Sequence, residues 1–429
     1  MIKSTLLKEI ILSNEDYILN KIPSSVVERN IALPSKKGKV VIFYGVRRSG
    51  KSYILYDIFR KNKEKAVYLD FEDERLSEFS INDFDKIKEV FYEAKPELIG
   101  KEIVMLLDEV QSVQGWEKYA RRVTERENVQ VFVTGSSSKI MPKEIQTALR
   151  GRSWSLEIMP FSFQETLSMH RIDPKQMLTQ DNKARMKNYF NQYMNWGGFP
   201  EVLLSKTEFE KIKILKEYLD AMFFKDLVER FRITNVHLLT VMMDNLFSSF
   251  ASKFSLTSFW KHYHQKFPFS KDSLFLYYKY LLDSMLICEV RKISESSYKR
   301  NRNPAKVYLI DTGLCKHLYS NDLGRVLENT VFLELRKRSQ EIFYYEENGE
   351  CDFVIKEFSG RMIPFQVTYE LNPGNEEREF AGIEQACKKL SLKKGVILTY
   401  NQELIKKYNG INIKAVPFWK WILDNRKQA

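Results

Sequence analysis

The sequence predicts an α/β chain whose leading domain is a parallel sheet wrapped by helices. Three observations carry this. The apolar run Val40-Val41-Ile42-Phe43-Tyr44 leads into Gly45-Val46-Arg47-Arg48-Ser49-Gly50-Lys51-Ser52, and a helical pattern follows from Tyr53 to Phe59. The run Ile103-Val104-Met105-Leu106-Leu107 ends in Asp108-Glu109, and five apolar residues without alternation indicate a strand buried on both faces. Strand and helix patterns alternate again after residue 322.

The first observation also names a chemistry. G-x-x-x-x-G-K-S between a strand and a helix is a phosphate-binding loop. Backbone N–H groups and the helix N-terminus converge there on phosphate oxygens. Gly45 and Gly50 permit the tight backbone, Lys51 reaches the outer phosphates, and the Ser52 hydroxyl ligates Mg²⁺. Residues 45–52, with Tyr53 opening the helix, are therefore the candidate ATP site.

Taken in order, residues 4–32 read as a leading helical segment, and Pro34 to Lys39 as the turn into the first strand. Ala66 to Phe71 is a second strand, followed by a helix from about Ile81 to Glu93. Asp108 and Glu109 then fall at a strand's C-terminal end, where open α/β sheets bind ligands. Asp108 is the expected Mg²⁺-associated acid, and Glu109 the group that orients and deprotonates the attacking water. Val129 to Ser138 gives a further strand ending in hydroxyls. Thr134 or Ser136 would touch the γ-phosphate or the water, or else serve ordinary turn and capping chemistry. One strand intervenes in sequence between the loop strand and the Asp-Glu strand. That order marks the additional-strand, catalytic-Glu type of phosphate-loop ATPase. After Leu149-Arg150-Gly151, Arg152 is the candidate to meet the γ-phosphate of a neighbouring subunit, with Arg150 in reserve. That would make the chain a homo-oligomer with an arginine donated in trans; a structural surface arginine is the other reading.

Residues 160–235 read as charged helices closed by the rigid turn Trp196-Gly197-Gly198-Phe199-Pro200. From Ser248 to Leu309, two helices followed by two strands around a long basic hairpin describe a winged helix. Lys299, Arg300 and Arg302 in that hairpin would grip DNA phosphates, or would be a solvated loop on a winged helix used for packing. His262 and His264 lack partner ligands nearby and read as surface or packing residues.

The tail gives one helix, three strands, a helix and a strand, the core order of restriction-endonuclease-like α/β domains. Such chemistry needs carboxylates holding a divalent metal and a lysine assisting the nucleophile. Glu334 and Asp352 stand where carboxylates would, but Gln366-Val367-Thr368 replaces Glu-x-Lys. The expectation is an inactive remnant without nuclease activity. The domains expected are 1–158 (ATPase), 159–235 (helical lid or linker), 236–315 (winged helix) and 316–429 (nuclease-like).

Composition bounds the rest. The 429 residues, 44% hydrophobic and 29% charged, exclude a disordered chain. The net charge of +12 favours a polyanionic partner, double-stranded DNA first, though it equally serves solubility. Cys288, Cys315, Cys351 and Cys387 have no C-x-x-C spacing and read as free thiols. The N-terminus reaches charge too early for a signal peptide, and the most apolar stretch, Leu274 to Val290, carries Lys279, Asp283 and Glu289. The expectation is a cytoplasmic protein with no membrane partner.

The motifs at Gly45–Ser52, Tyr68–Leu76, Leu107–Gln111, Thr134–Ser137, Gly151–Arg152, Gly197–Glu201 and Val307–Leu314 act together. The chain resembles the prokaryotic AAA-type ATPases whose C-terminal half is a domain of unknown function with a nuclease-like end. The resemblance covers nearly the whole chain. It implies an ATPase domain, a winged-helix linker and a nuclease-like domain, with ATP and Mg²⁺ as cofactors. Three uses follow: an ATP-driven switch acting on DNA, a regulatory ATPase whose output is a protein contact, and an ATP-gated nuclease. Thr368 departs from the last.

Overall fold

The computed structural model describes residues 2–424 except 24–26, 30, 35–37, 137–144, 146, 173–179, 295–302, 319–321, 339–340 and 358. The chain divides into two compact units, Met1–Met159 and Pro160–Ala429.

The first unit opens with α1 (Ser4–Asp16), whose Leu7, Ile10 and Ile11 recur at helical spacing and are buried. The helical run continues to Lys21 and stops there, short of the 32 expected from sequence. Then come β1 (Val40–Gly45), α2 (Lys51–Lys61), β2 (Ala66–Asp70), α3 (Phe84–Ala94), β3 (Ile103–Asp108), α4 (Trp116–Arg126), β4 (Val129–Ser136) and β5 (Ser153–Glu157). The strands form one parallel sheet in the order β2-β3-β4-β1-β5. The additional-strand arrangement is present, and the inserted strand is β4. β2, which intervenes in sequence, lies at the sheet edge.

Both faces of this sheet are covered, which explains the unbroken apolar runs. Val40, Ile42, Leu69, Met105, Leu107, Val131 and Val133 pack with residues of α1, α3 and α4. Their alternates Val41, Phe43, Tyr68, Leu106 and Phe132 pack with Leu55, Ile58 and Phe59 of α2.

The second unit begins with α5 (Phe163–Met169), whose capping box pairs Ser162 with Glu165. α6 (Gln180–Trp196), α7 (Pro200–Leu204) and α8 (Glu208–Ala221) follow. Next stand α9 (Val236–Ser248), β6 (Ser252–Phe254), α10 (Leu256–Tyr263), α11 (Lys271–Asp283), β7 (Ile287–Lys292) and β8 (Ala305–Leu309). The chain ends with α12 (Thr312–Leu318), α13 (Leu323–Arg338), β9 (Glu341–Glu346), β10 (Glu350–Lys356), β11 (Met362–Thr368), α14 (Glu376–Lys389), β12 (Lys394–Thr399), β13 (Leu404–Tyr408), β14 (Ile411–Pro417) and α15 (Phe418–Asp424).

Among the described residues, fourteen strands fall in two sheets, the second having nine strands in the order β13-β14-β12-β11-β10-β9-β7-β8-β6. β7 joins β9 in parallel at Arg291↔Phe343. The strands that sequence divided between two domains therefore share one sheet. The hairpin of β13 and β14, absent from the sequence reading, extends it.

One buried acid gathers three glycines. Asp311 is buried and accepts the Gly198 N–H at 2.7 Å and the Gly313 N–H at 2.8 Å. Gly197, at φ +76°, lies so close that a Cβ would come within 1.8 Å of the Asp311 carboxylate. Burial pushes this carboxyl up to about 7, against the pull of the N–H groups of Gly198, Gly313 and Leu314. All four cysteines are buried free thiols. No helix among the described residues is long and apolar enough to cross a membrane.

Candidate active site

β1 ends at Gly45, and the chain turns through the loop into α2. Arg48 at φ 64° and Gly50 at φ 92° put left-handed residues among ordinary ones. That alternation turns successive backbone N–H groups toward one point, making an anion-binding concavity. Gly45 answers a second need: its Cβ would stand 2.1 Å from the Ile158 carbonyl oxygen. The Ile158 N–H donates to the Tyr44 carbonyl at 2.7 Å, so the chain just after β5 runs against the base of the loop.

Within the loop, Val46 is buried and Lys51 nearly so. Lys51 Nζ donates to the carbonyls of Gly45 (3.1 Å) and Val46 (3.0 Å). Ser49 is buried, and among the described residues its Oγ has no hydrogen-bond partner. Arg47 pairs with Glu72 at 3.5 Å. Tyr53 is about half exposed at the start of α2.

Asp108 closes β3 beneath this loop and is buried. Three hydroxyls bond its carboxylate. Tyr68 donates to Oδ2 at 2.8 Å, Thr134 donates to Oδ1, and the Ser52 hydroxyl is the third. Burial pushes the Asp108 carboxyl above its usual range, the Thr134, Ser52 and Tyr68 hydroxyls pull it back, and the charge of Glu109 adds to the rise. Burial, with Asp108 alongside, raises Tyr68 well above an ordinary phenol, so its hydroxyl remains a donor.

Glu109 takes a left-handed backbone, φ 47°, which is uncommon outside glycine and clusters at functional positions. Its N–H donates to Thr134 Oγ1 at 3.0 Å, and its carboxylate accepts from the Gln111 amide. The Thr134 hydroxyl thus ties Asp108 to Glu109. It donates to one acid and accepts from the backbone of the other. Ser136 ends β4 in register with Gly45, and its side chain lies outside the described residues.

Sequence reasoning missed two groups here. Tyr68 is one; its signal is a polar-tipped aromatic in a buried strand, which needs a partner for its hydroxyl. Asp70 is the other, in register with Asp108 across β2 and β3. Burial pushes its carboxyl up to about 7, against the Glu72 N–H, and Asp108, Glu72 and Glu109 add to the rise.

Arg152 lies elsewhere. Its carbonyl accepts the N–H of Val40, the first residue of β1, whereas the loop leaves from the last. Six strand residues put that end roughly 17–20 Å from the loop. Its side chain is 55% exposed and pairs with Glu125 at 3.1 Å. Arg150 is exposed with φ 49°. Lys299, Arg300 and Arg302 fall outside the described residues.

The nuclease-like trio is only partly assembled. The Asp352 N–H donates to Gln366 Oε1 at 3.2 Å, and the Gln366 amide donates to Glu379 at 2.7 Å. Glu334 pairs instead with Arg338, Nε to Oε1 at 2.7 Å. The helix acid turned toward Asp352 is Glu328, through a lysine that sequence did not single out. Lys306 on β8 is buried, and its ammonium lies 2.8 Å from Asp352, 2.7 Å from Glu350 and 3.1 Å from Glu328. Burial alone would lower the Lys306 pKa, but Asp352, Glu328 and Glu350 hold it well above its ordinary value. A cation already sits among these carboxylates, so the residues do not fit a divalent metal. Among the described residues, no cluster of three or more His, Cys, Asp or Glu is arranged to hold a metal ion.

The loop and its acids do fit a nucleotide triphosphate with Mg²⁺. The loop has the alternating backbone of an anion-binding turn and a buried hydroxyl with no partner among the described residues, and the buried acid is bonded by three hydroxyls.

Residues 37–167 match an AAA domain. Residues 187–325 and 323–421 match two domains of unknown function, DUF8612 and DUF4143. The chain is 36% identical over 438 residues to the uncharacterized protein MJ1544 of Methanocaldococcus jannaschii, covering 98% of this chain and 96% of that one. It is 26% identical over 357 residues to an uncharacterized protein of Haemophilus influenzae, covering 79% and 85%. Among solved structures it is similar to the Aeropyrum pernix ORC2 protein in its ADP form (11% identity, 76% and 93% covered, TM-score 0.31). The Aeropyrum pernix ORC1 protein in complex with DNA is another (12%, 73% and 90%, TM-score 0.28). Those structural likenesses are too slight to bear on function.

Proposed function

The chain belongs to the same family as the Methanocaldococcus jannaschii protein MJ1544, and from its AAA domain and site we propose that it binds and hydrolyses ATP with Mg²⁺. The observation that carries this is the Thr134 hydroxyl, bonded at once to Asp108 and to the Glu109 N–H beside the phosphate loop. Loop N–H groups and Lys51 bind the phosphates. Ser52 and Asp108 would hold Mg²⁺, which when bound neutralises phosphate charge and orients the transferring group. Glu109 takes a proton from the attacking water, and Thr134 keeps it in position.

Turnover then switches the C-terminal half. The net charge of +12 and the order α9-β6-α10-α11-β7-β8, read as a winged helix, support DNA as what that half meets. Lys299, Arg300 and Arg302 are the proposed phosphate contacts. A second reading has its own observation. The outer face of α11 exposes Phe275 and Leu276 between Lys271 and Lys279, a face suited to a protein partner. Salt-dependent duplex binding that weakens on triple substitution of the basic hairpin supports DNA; undetectable binding turns the assignment to protein. Arg152, far from its own loop, is the proposed arginine given in trans. Specific activity should therefore rise with protein concentration, and Arg152→Ala should flatten the rise.

The deciding experiment is Glu109→Gln. It should bind ATP as the parent does and hydrolyse it at least 100-fold more slowly. Turnover at the parent rate would remove Glu109 from this role.

A further inference from the structure

Upstream of the matched AAA domain, described residues on either side of 24–26 and of 30 are fastened to the first unit. Arg60 of α2 fastens one end, with guanidinium N–H groups donating to the carbonyls of Ile18 (2.8 Å), Ile22 (2.6 Å) and Pro23 (3.1 Å). Trp154 of β5 fastens the other, Nε1 donating to the Ala32 carbonyl at 3.1 Å. Ile31 packs with the apolar cluster between α2 and the sheet.

Between these anchors stands Arg29, half-buried. Its Nη1 donates to the Ser49 carbonyl at 3.0 Å and its Nη2 to the Met159 carbonyl at 2.5 Å. Ser49 is in the phosphate loop, and Met159 is the last residue of the first unit. A planar guanidinium presents its donors in a fixed fork, so two carbonyls on one Arg cannot shift independently. The segment behind Met159 is already tight against the loop. Ile158 donates to Tyr44 at 2.7 Å, and its carbonyl lies where a Gly45 Cβ would stand. Beyond it, Pro160 restricts the backbone of Met159, which makes the exit stiff.

We propose that Arg29 couples occupancy of the phosphate loop to the Met159–Pro160 exit, through which the first unit drives the second. The proposal rests on the reading of the loop as an ATP site. Phosphates draw the loop N–H groups, including those around Ser49, toward themselves. The Ser49 carbonyl moves with its peptide plane, and Arg29 carries that movement to the Met159 carbonyl. Arg29 touches neither nucleotide nor water in this scheme; it is a positioning residue.

The test uses the full chain, with ATP affinity and backbone hydrogen exchange over residues 155–165 measured separately. In the parent, saturating ATP should slow exchange at this exit by about tenfold or more. Arg29→Gln, which loses the charged fork, should bind ATP within about tenfold of the parent and lose the slowing. Arg29→Lys, which keeps the charge but reaches one carbonyl at a time, should fall between. A parent that binds no ATP would fail the site reading itself. A parent that binds ATP with unchanged exchange at the exit, or an Arg29→Gln as protected as the parent, would overturn the coupling. Loss of ATP binding in both variants would also overturn it, by making Arg29 part of the binding fold.

Discussion

Asp108 and Asp352 are both buried acids on inner strands of a sheet, and their surroundings are opposite. Asp108 is bonded by the hydroxyls of Tyr68, Thr134 and Ser52. Asp352 is bonded by the Lys306 ammonium and the Val367 N–H. Hydroxyls orient a carboxylate without cancelling its charge. An ammonium cancels the charge and fills the space. The same residue type is thus hydroxyl-bonded in one unit, where we propose that it meets Mg²⁺, and ion-paired in the other.

The contrast predicts opposite responses to single changes. Asp108→Asn should cut ATP turnover by 100-fold or more while lowering stability little, since it removes a charge that burial already disfavours. Lys306→Met should leave turnover alone and destabilise the second unit by about 3–5 kcal/mol, because breaking a buried pair strands its partners. Urea denaturation, with hydrogen exchange on β10 to locate the loss, measures both. A stable Lys306→Met would dissolve the distinction. Restoring Asp352→Asn in the same chain should recover part of the loss.

Ligand removal sharpens it next. ATP with Mg²⁺ at about 100 times its dissociation constant should stabilise the first unit by about 2.7 kcal/mol, a gain that EDTA reduces. Mg²⁺ or Mn²⁺ alone should do nothing for the second unit. Stabilisation there by metal, abolished in Asp352→Asn, would show that the Lys306 site opens.

A third buried acid, Asp311, is held chiefly by backbone N–H groups, with the charge of Lys337 a weaker pull. Its carboxyl, raised to about 7, binds a proton in the fold that it has lost in the unfolded chain above about pH 4. The folded state therefore holds more protons in that window, and stability falls as pH rises through 7. From pH 5 to 8 the second unit should lose about 2 kcal/mol, and Asp311→Asn should flatten the slope. Thermal midpoints across a pH series read this directly.

What sequence could reach follows from how local each feature is. The phosphate loop and the Asp108-Glu109 pair are contiguous, and their flanking strands announce themselves as apolar runs. Register is not local. Nothing in the order of residues says that Tyr68 meets Asp108, or that β4 rather than β2 lies beside the loop strand. On α13, Glu328 and Glu334 are both buried or nearly so, and helical spacing alone does not choose which turns toward Asp352. Lys306 is 46 residues from its acid and on a strand assigned to another domain. β13 carries Leu404 and Ile405 exposed beside two lysines, so no apolar alternation marks it.

The smallest predicted effect tests the hydroxyl side of the contrast most directly. Tyr68→Phe deletes one donor to Asp108 Oδ2 and keeps the ring that packs against Tyr56. A hydrogen bond to a charged group is worth about 1.5–3 kcal/mol, and the loss here is offset because the anion is also relieved of one constraint on its orientation. About 1 kcal/mol of stability should go, within reach of denaturant titration. If Tyr68 only packs, nothing else changes. If it positions Asp108, Mn²⁺ binding in the presence of ADP, followed by electron paramagnetic resonance, should weaken about five- to tenfold, while ADP affinity without metal stays put. Unchanged Mn²⁺ affinity would leave Thr134 and Ser52 as sufficient to hold the acid, and would reduce Tyr68 to part of the core.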